Sequence, residues 1–284
     1  ISYLKAKELY DNTLFVFTSD NGPEASGPDD PQSLLTQLVS WSMGYHQNIE
    51  RLGLKGSFNS ISPSFASAAA SPLAYFKFYA GEGGMRVPLI ISGAGVAKPN
   101  SSTNAFAWAT DITPTLLALA GVTVSEEPLR DTSAGQAVLP ISGKSLLPLL
   151  SHSATAVHDE EEAIGYELSG HAALFQGDYK LVRNQKPAGD GQWYLYNIVS
   201  DPGEVTDLKA SDAQRYQRML AAYKKFTVEA GVQPLPEGYS PRRQMLLNYL
   251  AQKGLSVTTI GLLILFALLA VYGLRLFVKR GSTP

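Results

Sequence analysis

The 284-residue sequence contains no cysteine and little charge of either sign. Without cysteine the chain has no disulfide bond, no thiolate nucleophile and no cysteine metal ligand, although this absence does not identify a redox compartment. The formal net charge is −2 and 17% of the residues are charged, so there is no basic surface on which nucleic-acid binding could rest. Because 45% of the residues are hydrophobic, we nevertheless expect the chain to fold around a sizeable core.

The N-terminal residues lack the features of a signal peptide. Residues 1–9 have no initiator methionine, no basic region and no apolar region. Their apolar positions share one helical face, as in a helix that is entered midway. We therefore expect a chain that is truncated at its N-terminus.

The first candidate for chemistry follows a short apolar run. Residues 13–18 read TLFVFT and are typical of a parallel strand that is buried on both faces. Asp20 and Asn21 come directly after it, where open α/β sheets place their ligands. Their carboxylate and amide oxygens suit Ca²⁺ or Mg²⁺. The alternative is an ordinary Asp-Asn-Gly turn at a strand end.

A second candidate is Lys77, which lies among aromatic residues just before another buried run at residues 87–92. An ammonium group at this point could bind the oxygens of an anion, or it could be a solvated surface charge. The glycines at 81, 83 and 84 permit a close approach of the backbone. We interpret Arg86 as structural.

The order of elements predicts an α/β fold in which a mixed, largely parallel sheet is flanked by helices. After a boundary near residue 155, short alternating segments predict a small antiparallel sheet with strands at residues 164–168, 172–176, 179–184 and 193–198. Residues 213–230 have a helical apolar spacing and should pack on that sheet. The predicted regions are 1–155 for the α/β part, 156–235 for the subdomain, 236–254 for a juxtamembrane linker and 255–278 for a transmembrane helix.

The membrane prediction depends on residues 255–274, which contain no charged residue. Twenty residues at 1.5 Å each span a hydrocarbon core of about 30 Å, so this segment predicts one transmembrane helix in a lipid bilayer. Basic residues at 275, 279 and 280 favour a cytoplasmic C-terminus. We expect a single-pass protein with its larger part on the periplasmic or extracellular side.

Several segments resemble the sulfatase family, arylsulfatase-like members of the alkaline phosphatase superfamily. The similar segments occur in the family's order and are LFVFTSDNG at residues 14–22, KFYAGEGGMRVPLIISGAG at 77–95, TDITPTLLALAGV at 110–122, QGDYKLVRN at 176–184 and WYLYNIVSDPGEVTDL at 193–208. The resemblance implies a sulfuric ester hydrolase acting on a small-molecule sulfate ester, with residues 1–155 as the C-terminal part of its catalytic domain.

The resemblance also implies roles for particular residues. Asp20 and Asn21 would bind a divalent cation, usually Ca²⁺, and Lys77 would be a catalytic and substrate-binding residue at the sulfate group. The family's nucleophile is a formylglycine made in a CxPSR-type motif, and residues 61–65 (ISPSF) do not match it. The nucleophile is therefore expected upstream of this chain, which alone should be inactive.

The four histidines differ in how near they are expected to lie to the site. His171 opens a strand of the subdomain and is a second candidate for substrate binding, while His46 could face the site from a long loop. We expect His152 and His158 to be solvated.

A phosphodiesterase or phosphonate monoester hydrolase of the same superfamily, or a non-catalytic membrane-tethered relative, remains an alternative. A phosphoethanolamine transferase is disfavoured because such enzymes carry histidine where Asn21 stands.

Overall fold

The computed structural model divides the chain into two compact units, Ile1–Val232 and Gln233–Pro284. It describes residues 1–25, 34–46, 48–58, 61–97, 100–123, 129–130, 137–138, 140–186, 189–252 and 261. The predicted α/β part falls within the first unit, as does the predicted subdomain apart from residues 233–235, and the boundary near residue 155 stays a prediction.

The helices and strands are short and are joined by long connections. The helices are α1 (Ser2–Ala6), α2 (Leu34–Ser42), α3 (Ser62–Ala70), α4 (Glu82–Met85), α5 (Ile112–Leu119), α6 (Leu147–Leu150), α7 (Ala213–Glu229) and α8 (Pro241–Gln252). The strands are β1 (Leu14–Thr18), β2 (Leu89–Gly93), β3 (Leu129–Arg130), β4 (Ala137–Val138), β5 (Ile164–Leu168), β6 (His171–Gln176), β7 (Tyr179–Arg183) and β8 (Trp193–Asn197). The fold is therefore mixed α/β.

The two strands predicted to be parallel form an antiparallel pair instead. Strands β1 and β2 lie side by side, with Leu14 opposite Gly93 and Thr18 opposite Leu89. The short β3 and β4 also pair antiparallel. The prediction of a largely parallel sheet is thus wrong for the described strands, because an apolar run indicates that a strand can be covered on both faces but not in which direction its neighbour runs. Phe17 and Ile90 remain 63% and 57% exposed.

The second sheet contains β5, β6, β7 and β8 in that order, with every neighbouring pair antiparallel. Each strand begins and ends within one residue of its predicted range. Alternation of side chains directs two buried sets to opposite faces. One set packs with α7 and contains Ala172, Leu174, Leu181, Leu195, Met219 and Tyr223, and the other contains Ala80, Ala173, Phe175, Val182 and Ile198. Because it contains Ala80, the second set joins this sheet to the loop of residues 75–80, which carries Lys77 and is called the Lys77 loop below.

The prediction of a transmembrane helix is corrected. Within the part of the chain that the structure describes, no helix is long and apolar enough to cross a bilayer. The longest of the described helices, α7, carries a charged solvent face, and α8 ends at Gln252. Apart from Gly261, the predicted segment 255–274 lies outside the described residues. The structure therefore does not support the predicted single-pass membrane placement or the predicted lipid partner.

Candidate functional site

The turn after β1 carries the two predicted cation ligands. Asp20 is exposed and Asn21 is partly buried. The Ser19 hydroxyl donates a 2.9 Å hydrogen bond to the carbonyl of Asn21 and closes the turn locally. This brings an acidic side chain and an amide side chain to consecutive positions at the strand end.

Gly22 fixes this turn against the start of α4. Its amide donates a 3.0 Å hydrogen bond to the carbonyl of Gly84. A Cβ atom at position 22 would lie 1.8 Å from the carbonyl oxygen of Gly83, a distance that no side chain could occupy. Only glycine therefore allows the Asp20 turn to approach the Gly83–Gly84 backbone this closely.

Lys77 is attached to the same turn from the other side. Its amide donates a 3.1 Å hydrogen bond to the carbonyl of Pro23, and its Nζ lies 2.7 Å from Glu24 Oε2. The hydrogen bond to Glu24 is the main cause that raises the pKa of Lys77, and the negative charge of Asp20 adds to it. The structure thus brings the Lys77 ammonium into the electrostatic field of the Asp20 carboxylate.

The loop that carries Lys77 has an unusual backbone. Tyr75 and Phe78 both adopt positive φ angles, 66° and 79°. Bulky residues rarely occupy this region, and they remain there only where the surrounding structure holds them. Lys77 therefore lies on a constrained segment rather than on a free loop.

A buried ion cluster holds α4 in place. Lys180 Nζ lies 2.9 Å from Glu82 Oε1 and 2.9 Å from Glu204 Oε1. The side chains are 0%, 4% and 2% exposed respectively. Glu204 also accepts a 2.9 Å hydrogen bond from the amide of Glu82 at the first residue of α4. Burial raises the pKa of Glu204, and the positive charge of Lys180 opposes that rise.

This buried ion cluster was not among the sites predicted from the sequence. Lys180 and Glu204 lie 98 and 122 residues from Glu82. One feature of the sequence pointed to it: Lys180 lies between Tyr179 and Leu181 on a predicted strand. A lysine that is buried there needs an acidic partner, because charged residues are almost never fully buried unless they are paired.

The donors available for a metal ion fit a hard divalent cation in type but not in number. Asp20 and Asn21 offer oxygen atoms, which Ca²⁺ and Mg²⁺ prefer. Ca²⁺ takes six to eight such ligands. No group of three or more histidine and carboxylate side chains that could hold a metal occurs among the described residues. The role of Asp20 and Asn21 as metal ligands therefore stays a prediction.

His171, the second predicted substrate contact, is buried on β6 with 6% exposure. Its Nδ1 accepts a 3.2 Å hydrogen bond from the amide of Gln185, and its ring meets that of Tyr79 edge-on at 4.9 Å. Burial is the main cause that lowers the pKa of His171. These contacts place it under the Lys77 loop, and its contact with substrate stays a prediction.

The expectation that His158 is solvated is wrong. Its side chain is 9% exposed, and Nε2 lies 2.8 Å from the fully buried Asp111. Its Nδ1 lies 3.1 Å from Glu162, which also pairs with Lys144 at 2.6 Å. This cluster holds the start of α5 against the segment before β5.

Of the other two histidines, His152 is exposed. Both ring nitrogens of His46 are buried without a hydrogen bond from the described residues.

Comparison with known proteins gives a consistent result. Residues 1–122 match the sulfatase family model. An uncharacterized sulfatase of Schizosaccharomyces pombe is 31% identical over 240 residues, which cover 84% of this chain and 42% of the relative. An arylsulfatase of Klebsiella aerogenes is 30% identical over 136 residues, covering 48% of this chain and 27% of the relative. The chain thus spans less than half the length of these relatives.

The fold comparison agrees. The crystal structure of Ps i-CgsB superposes with a TM-score of 0.53 at 24% sequence identity, over 80% of this chain and 39% of that one. At this identity the likeness shows a shared fold alone. Together, the family match and the curated relatives support the sulfatase/alkaline phosphatase superfamily for this chain, and the structural neighbour has a similar fold.

Proposed function

We propose that this chain provides the cation-binding and sulfate-binding part of an arylsulfatase-like sulfuric ester hydrolase. The observation that carries the proposal is that the Asp20 turn contacts both α4, through the hydrogen bond from Gly22 to Gly84, and Lys77, through the hydrogen bond from Lys77 to Pro23. This arrangement holds a metal-binding type of carboxylate and an anion-binding ammonium close together. The similarity to sulfatases supports the same interpretation.

In this proposal Asp20 and Asn21 hold the divalent cation, for which we favour Ca²⁺. When bound, the cation neutralises charge on the sulfate oxygens and acts as a Lewis acid. Its remaining ligands would come from residues other than those described here. The proposed role of Asp20 does not require it to be buried, because a carboxylate that binds a metal beside open space leaves room for the substrate.

Lys77 is the proposed contact to the sulfate group. Its ammonium would stabilise the negative charge that builds up on the sulfate oxygens during transfer. Lys77 now pairs with the Glu24 carboxylate, and both side chains are partly exposed, at 32% and 40%. A bound sulfate would therefore take the position of Glu24 beside the ammonium. We keep His171 only as a weaker candidate, because it is buried beneath Tyr79.

In this proposal the nucleophile comes from outside this sequence. The chain has no cysteine and no CxPSR-type motif from which formylglycine could be made. The formylglycine expected in such enzymes would supply the group that attacks sulfur. We therefore expect the 284-residue chain alone to be inactive, and the hydrolase to be the longer protein that contains it.

Hydrolysis of matched esters tests this function. In the protein that contains this chain and the nucleophile, we expect turnover of 4-methylumbelliferyl sulfate that is lost on chelation of divalent cations. We expect much slower turnover of bis-4-nitrophenyl phosphate and of a phosphonate monoester, since both carry an organic group where a sulfate ester has its third terminal oxygen, and the site would be complementary to three such oxygens. Faster hydrolysis of either phosphorus ester would favour the phosphodiesterase or phosphonate hydrolase alternative. No turnover of any ester, with the nucleophile motif intact, would indicate a non-catalytic relative.

A further inference from the structure

A cavity next to β8 is not used by the proposed hydrolysis. It has a volume of about 370 Å³, within the range of small-molecule sites. Its walls include three tyrosines and two carboxylates, namely Tyr75, Tyr194, Tyr196, Asp190 and Glu204. A cavity of this size with aromatic walls and a few polar groups has the composition of a ligand site.

The aromatic walls come from two parts of the chain. Tyr194 and Tyr196 are two residues apart on β8 and therefore share one face of the sheet. Their rings are nearly parallel, with centroids 6.3 Å apart and planes 13° apart. Tyr75 faces them from the constrained Lys77 loop. The faces of such rings carry partial negative charge and attract cations.

The charged groups around the cavity do not balance. Glu82 and Glu204 share the single ammonium of Lys180, and all three side chains are buried. Arg86 approaches Glu82 only to 3.8 Å and is 48% exposed. Asp190 adds a further carboxylate at the exposed rim. Three carboxylates, those of Glu82, Glu204 and Asp190, thus stand against the two cations Lys180 and Arg86, so the groups around the cavity keep an excess of negative charge at the Asp190 rim.

The remaining nearby charges do not reverse this excess. Asp207 and Lys209 pair with each other at 3.2 Å, and Lys209 also lies over the ring of Tyr194 at 4.4 Å. Burial is the main cause that raises the pKa of Tyr75 and of Tyr196, and the charge of Glu204 raises both further. These phenols therefore remain neutral, so their rings offer faces and hydroxyl groups rather than phenolate charge.

We propose that this cavity binds an organic cation, a protonated amine or a guanidinium group, between the tyrosine rings and the carboxylates of Asp190 and Glu204. An anion such as sulfate would be repelled by the same carboxylates, so the cavity is distinct in chemistry from the Lys77 site. The cation could belong to a free amine or to an amine-bearing ester. The proposal rests on the cavity alone and does not depend on hydrolysis.

Calorimetric titration of the 284-residue chain with cyclohexylammonium tests this binding, and cyclohexanol serves as the neutral molecule of the same shape. At pH 7 we expect the cation to bind at least about tenfold more tightly than the alcohol, because only the cation gains from the ring faces and carboxylates. Asp190→Asn should weaken cation binding about threefold to tenfold, and Tyr196→Leu should weaken it by a similar factor. Asp178→Asn changes an exposed carboxylate outside the cavity and should have no effect.

Three outcomes would overturn the proposal: equal binding of cyclohexanol, unchanged cation binding by both cavity variants, or no cation binding by the folded chain. Thermal unfolding of each variant checks that Asp190→Asn, an exposed substitution, leaves the fold intact. Binding to the chain alone indicates a site for a free amine. Binding that occurs only when the amine also carries a sulfate ester would contradict the independence of the two sites.

Discussion

Replacing Lys180 by methionine is expected to lower the free energy of unfolding by about 3–5 kcal/mol, because it leaves two buried carboxylates without their cation. Glu82 and Glu204 are 4% and 2% exposed, so water cannot take over the role of the ammonium. The loss should be visible as a lower midpoint in urea denaturation followed by tryptophan fluorescence. Methionine preserves most of the side-chain volume, which limits the contribution of a cavity.

Two controls separate charge from packing. Lys224→Ala removes an exposed lysine from α7 and should change the free energy of unfolding by less than about 0.5 kcal/mol. The triple variant Lys180→Met, Glu82→Gln, Glu204→Gln removes the buried charges together and should recover part of the loss. If the single variant unfolds at the wild-type urea concentration, Lys180 does not hold α4 in place.

Replacing Lys77 by alanine is expected to lower kcat/KM for a sulfate ester by at least about tenfold in the enzyme that contains this chain. The ammonium would stabilise charge that develops on the sulfate oxygens, so its removal should affect kcat as well as KM. Steady-state kinetics with 4-methylumbelliferyl sulfate measures both constants. Because the Lys77 side chain is 32% exposed and pairs with a partly exposed glutamate, its loss should leave stability nearly unchanged.

Lys224→Ala again provides the matched control, since it removes the same charge far along the sequence and should retain wild-type kcat/KM. Wild-type kinetics for Lys77→Ala would instead make Lys77 a surface residue that pairs with Glu24. A fall in kcat/KM accompanied by an equal loss of folded protein would also argue against a role in charge stabilisation.

The antiparallel sheet could be predicted well from the sequence, because its strands follow one another along the chain and are signalled by nearby residues. Alternating apolar residues and Gly177-Asp178 at the hairpin fix β6 and β7 within a few residues of each other. The antiparallel pairing of β1 with β2 could not be inferred in this way. These strands are separated by a long connection, and their apolar runs are compatible with either direction.

The candidate site shows the same division between local and distant information. Asp20, Asn21 and Lys77 could be proposed from short motifs beside strands. The Lys180 cluster could not, since it joins Glu82 to Lys180 and Glu204 across 98 and 122 residues. The cavity beside β8 could not either, since it brings Tyr75 together with Tyr196 and Glu204. His158 was misjudged for the same reason, because its partner Asp111 lies 47 residues away.

A crystal structure of the enzyme containing this chain, with Ca²⁺ and a sulfate ion bound, would show whether Asp20, Asn21 and Lys77 form one site. We expect oxygen atoms of Asp20 and Asn21 to lie about 2.3–2.6 Å from one cation. We also expect Lys77 Nζ to have exchanged Glu24 for a sulfate oxygen at about 2.7–2.9 Å. Cation density ligated by other residues, or a sulfate bound away from Lys77 while the pair with Glu24 persists, would contradict the proposed site.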